Sequence, residues 1–96
     1  MNDFKKLKQF KPIPDYLTIK KSDIHGLGLF ATEEIKEGVE LGISHVKDDR
    51  FLHGYIRTSL GGFFNQSTTP NCEAVYENDF IKIRTLSIVN SGDEIT

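Results

Sequence analysis

The sequence predicts a mostly β protein of short strands and long functional loops, and three observations carry that expectation. No segment keeps an apolar period of 3.6 over three turns, which a surface helix needs in order to bury one face. Glu77-Asn78-Asp79 separates two runs rich in β-branched and aromatic residues, Cys72 to Glu77 and Phe80 to Leu86. Asparagine and aspartate tolerate the positive φ of a tight turn, so this stretch reads as a hairpin. Near the start, Tyr16, Thr18 and Lys20 alternate with Leu17 and Ile19, the period of two that a half-buried strand shows.

The elements follow in order. Residues 1–15 read as a basic N-terminal arm, with Lys5, Lys6, Lys8 and Lys11 solvated and Pro12 and Pro14 imposing an extended path. Residues 16–96 form the domain proper. A first strand covers residues 16–20, and Ser22 to Gly28 is turn-rich. Leu27, Leu29 and Phe30 make an apolar stretch with two glycines, and Val39 to Val46 is a further strand. Asp48 to Arg50 breaks the pattern, and His53 to Thr69, with three glycines and many small polar residues, reads mostly as loop. The closing hairpin comes next. A weak internal echo relates Ile35-Lys36-Glu37-Gly38-Val39-Glu40-Leu41 to Val89-Asn90-Ser91-Gly92-Asp93-Glu94-Ile95. It predicts two equivalent glycine turns, each leading into a strand.

Composition bounds the function. With 96 residues, the chain is one domain, because either half would be too small to bury a core. A core this small is marginal, which favours a second copy of the chain as a partner, a homodimer. The net charge of −2 argues against a dedicated nucleic-acid binder. The single cysteine, Cys72, excludes an internal disulfide and a cysteine-based zinc cluster. No apolar run approaches the ~20 residues that span a bilayer, and no apolar h-region marks a secretory signal. The expected location is a reducing cytoplasm, with no membrane partner.

Three stretches could carry chemistry. Gly26-Leu27-Gly28-Leu29-Phe30-Ala31 fits a relaxed G-x-G-x-x-A fingerprint. A dinucleotide site would need a long helix after it, and Gly38 would end any helix there within about two turns. The glycines then permit a turn or a backbone cradle for another ligand. Gly61 to Cys72 runs two aromatics, Phe63 and Phe64, into Asn65-Gln66-Ser67 and then Pro70-Asn71-Cys72. Asparagine and glutamine each offer a donor and an acceptor, suited to reading a purine edge or fixing a sharp loop. Gly92-Asp93-Glu94-Ile95-Thr96 reads by itself as a turn and a strand stub. His45, Asp49 and His53 fall at i, i+4 and i+8, a zinc-compatible spacing only on a helix. Phe51, Leu52 and Gly54 interrupt it, so these read as surface or loop residues and no metal is expected.

Taken together and in this order, the three stretches resemble the SET-domain family of protein lysine methyltransferases. Ser22 to Ala31 looks like its opening G-x-G motif. Phe64-Asn65-Gln66-Ser67 with Pro70-Asn71-Cys72 looks like its F-x-N-H-S-x-x-P-N-C motif, and Ile88 to Thr96 like its I-x-x-G-E-E-L-T segment. The resemblance covers residues 16–96. It implies small curved β-sheets with a knot-like C-terminal crossing, S-adenosylmethionine as cofactor, and methyl transfer to a lysine of a protein or peptide. By similarity, His25, Gly26, Leu27, Gly28, Asn65 and Gln66 would line the cofactor pocket, with the glycines allowing close approach, while Asn71 and Glu94 would hold loops together. Two departures stand out. Gln66 replaces the family histidine, and the pattern stops at Thr96, before the family's catalytic tyrosine, so the domain reads as truncated at its C-terminus. Tyr76 and Tyr55 are then the candidates for the substrate channel. The alternative is a non-catalytic module of the same fold that binds cofactor or peptide.

Overall fold

Leu17–Lys21 (β1) and Leu27–Ala31 (β2) pair antiparallel, from Leu17 opposite Ala31 to Lys21 opposite Leu27. The computed structural model that shows this describes residues 12–96. The lysines at 5, 6, 8 and 11, and with them most of the expected arm, lie outside the described residues. Leu17, Leu29 and Ala31 are buried, so this ribbon turns an apolar face inward.

The second sheet has four strands, all antiparallel. Glu40–Lys47 (β3), Tyr55–Arg57 (β4), Cys72–Glu77 (β5) and Phe80–Thr85 (β6) lie in the order β4-β3-β6-β5. The expected hairpin is the β5–β6 pair. Glu77 opposes Phe80, and Asn78 takes the positive φ of 52° between them. Two register shifts interrupt the β3–β6 pairing, at Glu40/Gly42 and Ile43/His45, and such bulges bend and twist a strand.

The stretch read as loop, His53 to Thr69, holds more structure than expected. It contains β4 and a single helical turn, Ser59–Gly62 (α1). Neither is driven by local propensity. β4 has three residues and exists because β3 offers it an edge. α1 is capped by Thr58, whose Oγ1 accepts from Gly61 N at 3.3 Å and donates to Ile43 O at 2.6 Å. Gly61 lies so close to the Ser44 carbonyl that any side chain there would collide with it.

The internal echo has a direct structural meaning. Ile35 and Val89 face each other and exchange both backbone hydrogen bonds, each 2.8 Å. Three residues on, Gly38 and Gly92 take φ of 78° and 92°. One turn leads into β3. The other leads into the C-terminal segment, which pairs with β2 through Ala31 N to Asp93 O (2.9 Å) and Ile95 N to Leu29 O (2.7 Å). On its other side, the same segment accepts at Thr96 O from the backbone N–H groups of Asn71 and Cys72. Residues 93–96 thus run between the first ribbon and the start of β5, the crossing expected of the C-terminus. The core fills the space so enclosed: Leu17, Leu29, Ala31, Ile35, Leu41, Leu60, Cys72, Ile83, Val89 and Ile95. Burial drives the Cys72 thiol pKa up to about 12.

Candidate functional site

Three segments distant in sequence meet at the crossing. Ser22 follows β1, Asn65 lies in the loop after α1, and Glu94 lies in the C-terminal segment. The Ser22 hydroxyl reaches both Glu94 carboxylate oxygens, at 2.7 and 2.8 Å. The Asn65 amide nitrogen donates to Glu94 Oε2 at 2.9 Å and to the carbonyls of His25 and Leu27, each at 3.1 Å. All three partners are oxygens, which fixes the orientation of the amide. Ser22 Oγ also accepts from Ile24 N at 2.9 Å, closing the turn that carries Ile24 to Gly26.

Gly26 and Asn65 therefore share one junction, because Asn65 grips the carbonyls on either side of Gly26. The two glycines of the bend serve different ends. Gly26 has φ of 47° and open space where a Cβ would stand, so backbone conformation selects it. Gly28 is buried, and a Cβ there would collide with the Glu94 carboxylate and come within 3.1 Å of Asn65 Nδ2. Internal packing thus accounts for Gly28, where the sequence suggested close approach of a cofactor.

Asn71 clamps the crossing. Its Nδ2 donates to Glu94 O at 2.8 Å, and its Oδ1 accepts from Thr96 N at 2.9 Å. Asn71 and Glu94 hold loops together, and so does Asn65, whose amide hydrogens are all engaged within the protein.

The remaining candidates fall in three places: a cleft beside Gln66, the exposed bend, and a separate hollow on the four-stranded sheet. Gln66 is exposed, and lines a cleft of about 250 Å³ with Phe64, Ser67, Pro70, Cys72, Ala74 and Thr96. The exposed bend carries His25, Gly26 and Leu27, with Ile24 and Leu27 presenting apolar side chains to solvent. Tyr55 and Tyr76 do not line the Gln66 cleft. Both line a separate hollow on the four-stranded sheet, and Tyr76 is 72% exposed. His45 belongs to β3 while Asp49 and His53 lie in the connection to β4, so the three share no helix face. Among the described residues, no three His, Cys, Asp or Glu side chains cluster to hold a metal ion, and no helix is long and apolar enough to cross a membrane.

The sequence reading missed Ser22 as a member of the junction. Its only local signal is a hydroxyl two residues before a turn, which is common. Its partner Glu94 is 72 positions away.

Comparison with known proteins supports the architecture. No protein-family model and no curated protein matches the chain in sequence. Among solved structures, the fold is similar to the methyltransferase domain of human PR domain-containing protein 2. That match has a TM-score of 0.70 at 17% identity and covers 93% of this chain and 78% of that one. It is also similar to a Plasmodium falciparum protein provisionally named as a histone methyltransferase. There the TM-score is 0.65 at 22% identity, over 86% of this chain and 91% of that one. The chain has the SET-like fold of small β-sheets that these structures share.

Proposed function

We propose that this chain is an S-adenosylmethionine-dependent methyltransferase domain acting on a lysine side chain of a protein substrate. The observation that carries the reading is the convergence at the crossing. The bend His25 to Gly28 is tied to Asn65 by two hydrogen bonds, in a fold similar to that of two proteins named as methyltransferases. When bound, S-adenosylmethionine supplies a methyl group on a positively charged sulfur.

The residues present fit such a group. Exposed apolar side chains at Ile24 and Leu27 offer a surface for a flat base. Gln66 brings a donor and an acceptor, and Asn65 Oδ1 a further acceptor, that no group among the described residues engages. The rigid tie through Asn65 is preorganisation: it fixes the bend before any ligand arrives. Phe64, Ala74 and Cys72 give the adjoining cleft an apolar wall. An aliphatic lysine stem is at home against it, and desolvation there would favour the neutral amine that attacks carbon. The amine lone pair forms the new N–C bond as the C–S bond breaks. Sulfur leaves as a neutral thioether, and the proton on nitrogen passes to water.

One observation favours a second reading, a module that binds cofactor or peptide without catalysis. No tyrosine hydroxyl lines the Gln66 cleft. Calorimetric titration with S-adenosylmethionine, followed by transfer of labelled methyl to a panel of lysine-bearing proteins, separates the cases. Heat of binding with label on lysine supports the enzyme; heat without label supports the module. No heat at all overturns both cofactor readings.

A further inference from the structure

A second hollow, of about 440 Å³, lies on the four-stranded sheet and is lined by His45, His53, Tyr55, Arg57, Tyr76 and Ile81. Sheet register assembles it. Arg57, His45, Ile81 and Tyr76 are successive cross-strand partners on β4, β3, β6 and β5, and cross-strand partners project from the same face. Ile81 is buried and forms the floor. His45 and Tyr55 meet edge to face, with ring centroids 6.3 Å apart.

The chemistry of the lining is one-sided. Among the described residues it offers a guanidinium, two imidazoles and two phenols, and no carboxylate. Arg50, Lys82 and Arg84 each pair with an acidic side chain, but among the described residues Arg57 has no such partner. An uncompensated guanidinium repels a cationic guest, so the aromatic rings do not make a cage for methylated lysine.

The buried hydroxyl of Ser44 determines what His45 presents. Ser44 Oγ donates its single hydrogen to Ile81 O at 3.0 Å and lies 2.8 Å from His45 Nδ1. With the hydroxyl hydrogen on Ile81 O, Ser44 accepts from Nδ1 and Nε2 is a lone pair in that neutral tautomer; in the protonated ring Nδ1–H stays on Ser44 and Nε2–H is a donor.

We propose that this hollow binds a dianionic oxyanion, a phosphoryl or sulfate group, and that protonation of His45 completes its donor set. Arg57 supplies the charge and the fork of N–H donors that suits tetrahedral oxyanions. Tyr55, Tyr76 and His53 add donors from β4, β5 and the loop before β4, while β6 contributes only Ile81. Without an anion, desolvation and then the Arg57 charge hold the His45 pKa below the usual imidazole value. A bound dianion offsets the Arg57 charge and rewards an Nε2–H donor, so it raises that pKa. By linkage, affinity rises as pH falls through the His45 pKa of the complex, and levels off below the pKa of the free protein.

The test uses sulfate, whose charge is fixed over the histidine range, with chloride at matched ionic strength as control. The His45 ring resonances of the full chain are followed by NMR from about pH 8 to about pH 5. Sulfate should raise the His45 pKa, and each unit of that rise corresponds to tenfold tighter binding in acid. Arg57→Gln, an exposed edge-strand change, should abolish binding while leaving the melting temperature unchanged. His45→Gln should leave weaker binding with a smaller pH dependence, and His45→Gln combined with His53→Gln should leave binding that no longer depends on pH. Inorganic phosphate and a phosphoserine peptide beside its unphosphorylated form then identify the source of the group: a free ion or a protein-borne one. A His45 pKa that responds equally to sulfate and chloride, or sulfate binding that survives Arg57→Gln, overturns the proposal.

Discussion

Gly28→Ala probes the junction most sharply, because one methyl group confronts an acid. The added Cβ would overlap the Glu94 carboxylate, lie 2.9 Å from its Cδ and lie 3.1 Å from Asn65 Nδ2. Gly28 sits in β2, paired with Lys20 of β1, so its backbone has no freedom to retreat. Glu94 must move instead, and its backbone is held by Asn71 on one side and β2 on the other. Only the carboxylate can swing away, which breaks its bonds to Ser22 and Asn65. Overpacking typically costs ~1–3 kcal/mol, and hydrogen bonds to a charged group contribute ~1.5–3 kcal/mol each. These terms overlap, because moving the carboxylate relieves the clash, so the expected loss is ~2–4 kcal/mol.

Urea unfolding followed by circular dichroism measures that loss. In a domain of this size, it corresponds to a fall in Tm on the order of 10–20 °C. Gly62→Ala is the control, since nothing stands within 4 Å of its added Cβ, and its stability should change by no more than ~1 kcal/mol. The mechanism makes a second demand. In a Glu94→Ala background there is no carboxylate to displace, so Gly28→Ala should cost at least ~1 kcal/mol less than in the wild type. A Gly28→Ala protein within ~0.5 kcal/mol of wild type, or equal costs in the two backgrounds, would refute the reasoning.

Other expectations follow from single contacts. Asn71→Ala removes a donor to Glu94 O and an acceptor from Thr96 N, and should cost ~2–4 kcal/mol in the same urea assay. Thr85 is 1% exposed, accepts from Val39 N at 2.8 Å and donates to Lys36 O at 2.7 Å. Thr85→Val keeps the shape but strands both backbone groups, and should cost ~2–4 kcal/mol. Cys72 is buried with its thiol pKa raised to about 12, so an aromatic disulfide reagent at pH 8 should modify it only after denaturation. Folding favours its protonated form, so its contribution to stability is intact below about pH 9 and declines as pH rises toward 12. Wild type should lose stability over that alkaline range relative to Cys72→Ala, as followed by urea midpoints.

What the sequence disclosed and what it concealed divide by the range of the interactions. The hairpin at Asn78 and the turns at Gly38 and Gly92 were legible because each depends on a residue that accepts positive φ, a preference carried within a few positions. β4 and α1 were not, because three- and four-residue elements have no period to detect. They are held by β3 and by the close approach of Gly61 to Ser44. The junction falls between these cases. A motif pattern brought the bend at residues 25–28 and Asn65 together, but assigned its glycines and its asparagine to ligand contact. The geometry gives Gly28 and the Asn65 amide hydrogens an internal duty, set by a Ser22–Glu94 pair that no local reading contains. That duty has a consequence for any ligand at the bend. A residue whose donors are spent on the backbone acts on a ligand by holding that backbone still. On the proposed reading, substituting Asn65 should therefore weaken S-adenosylmethionine binding and protein stability together, whereas substituting Gln66, which has no hydrogen-bond partner among the described residues, should weaken binding alone. Calorimetry and urea unfolding on Asn65→Ala and Gln66→Ala distinguish these roles, and an Asn65→Ala protein of unchanged stability would contradict the assignment.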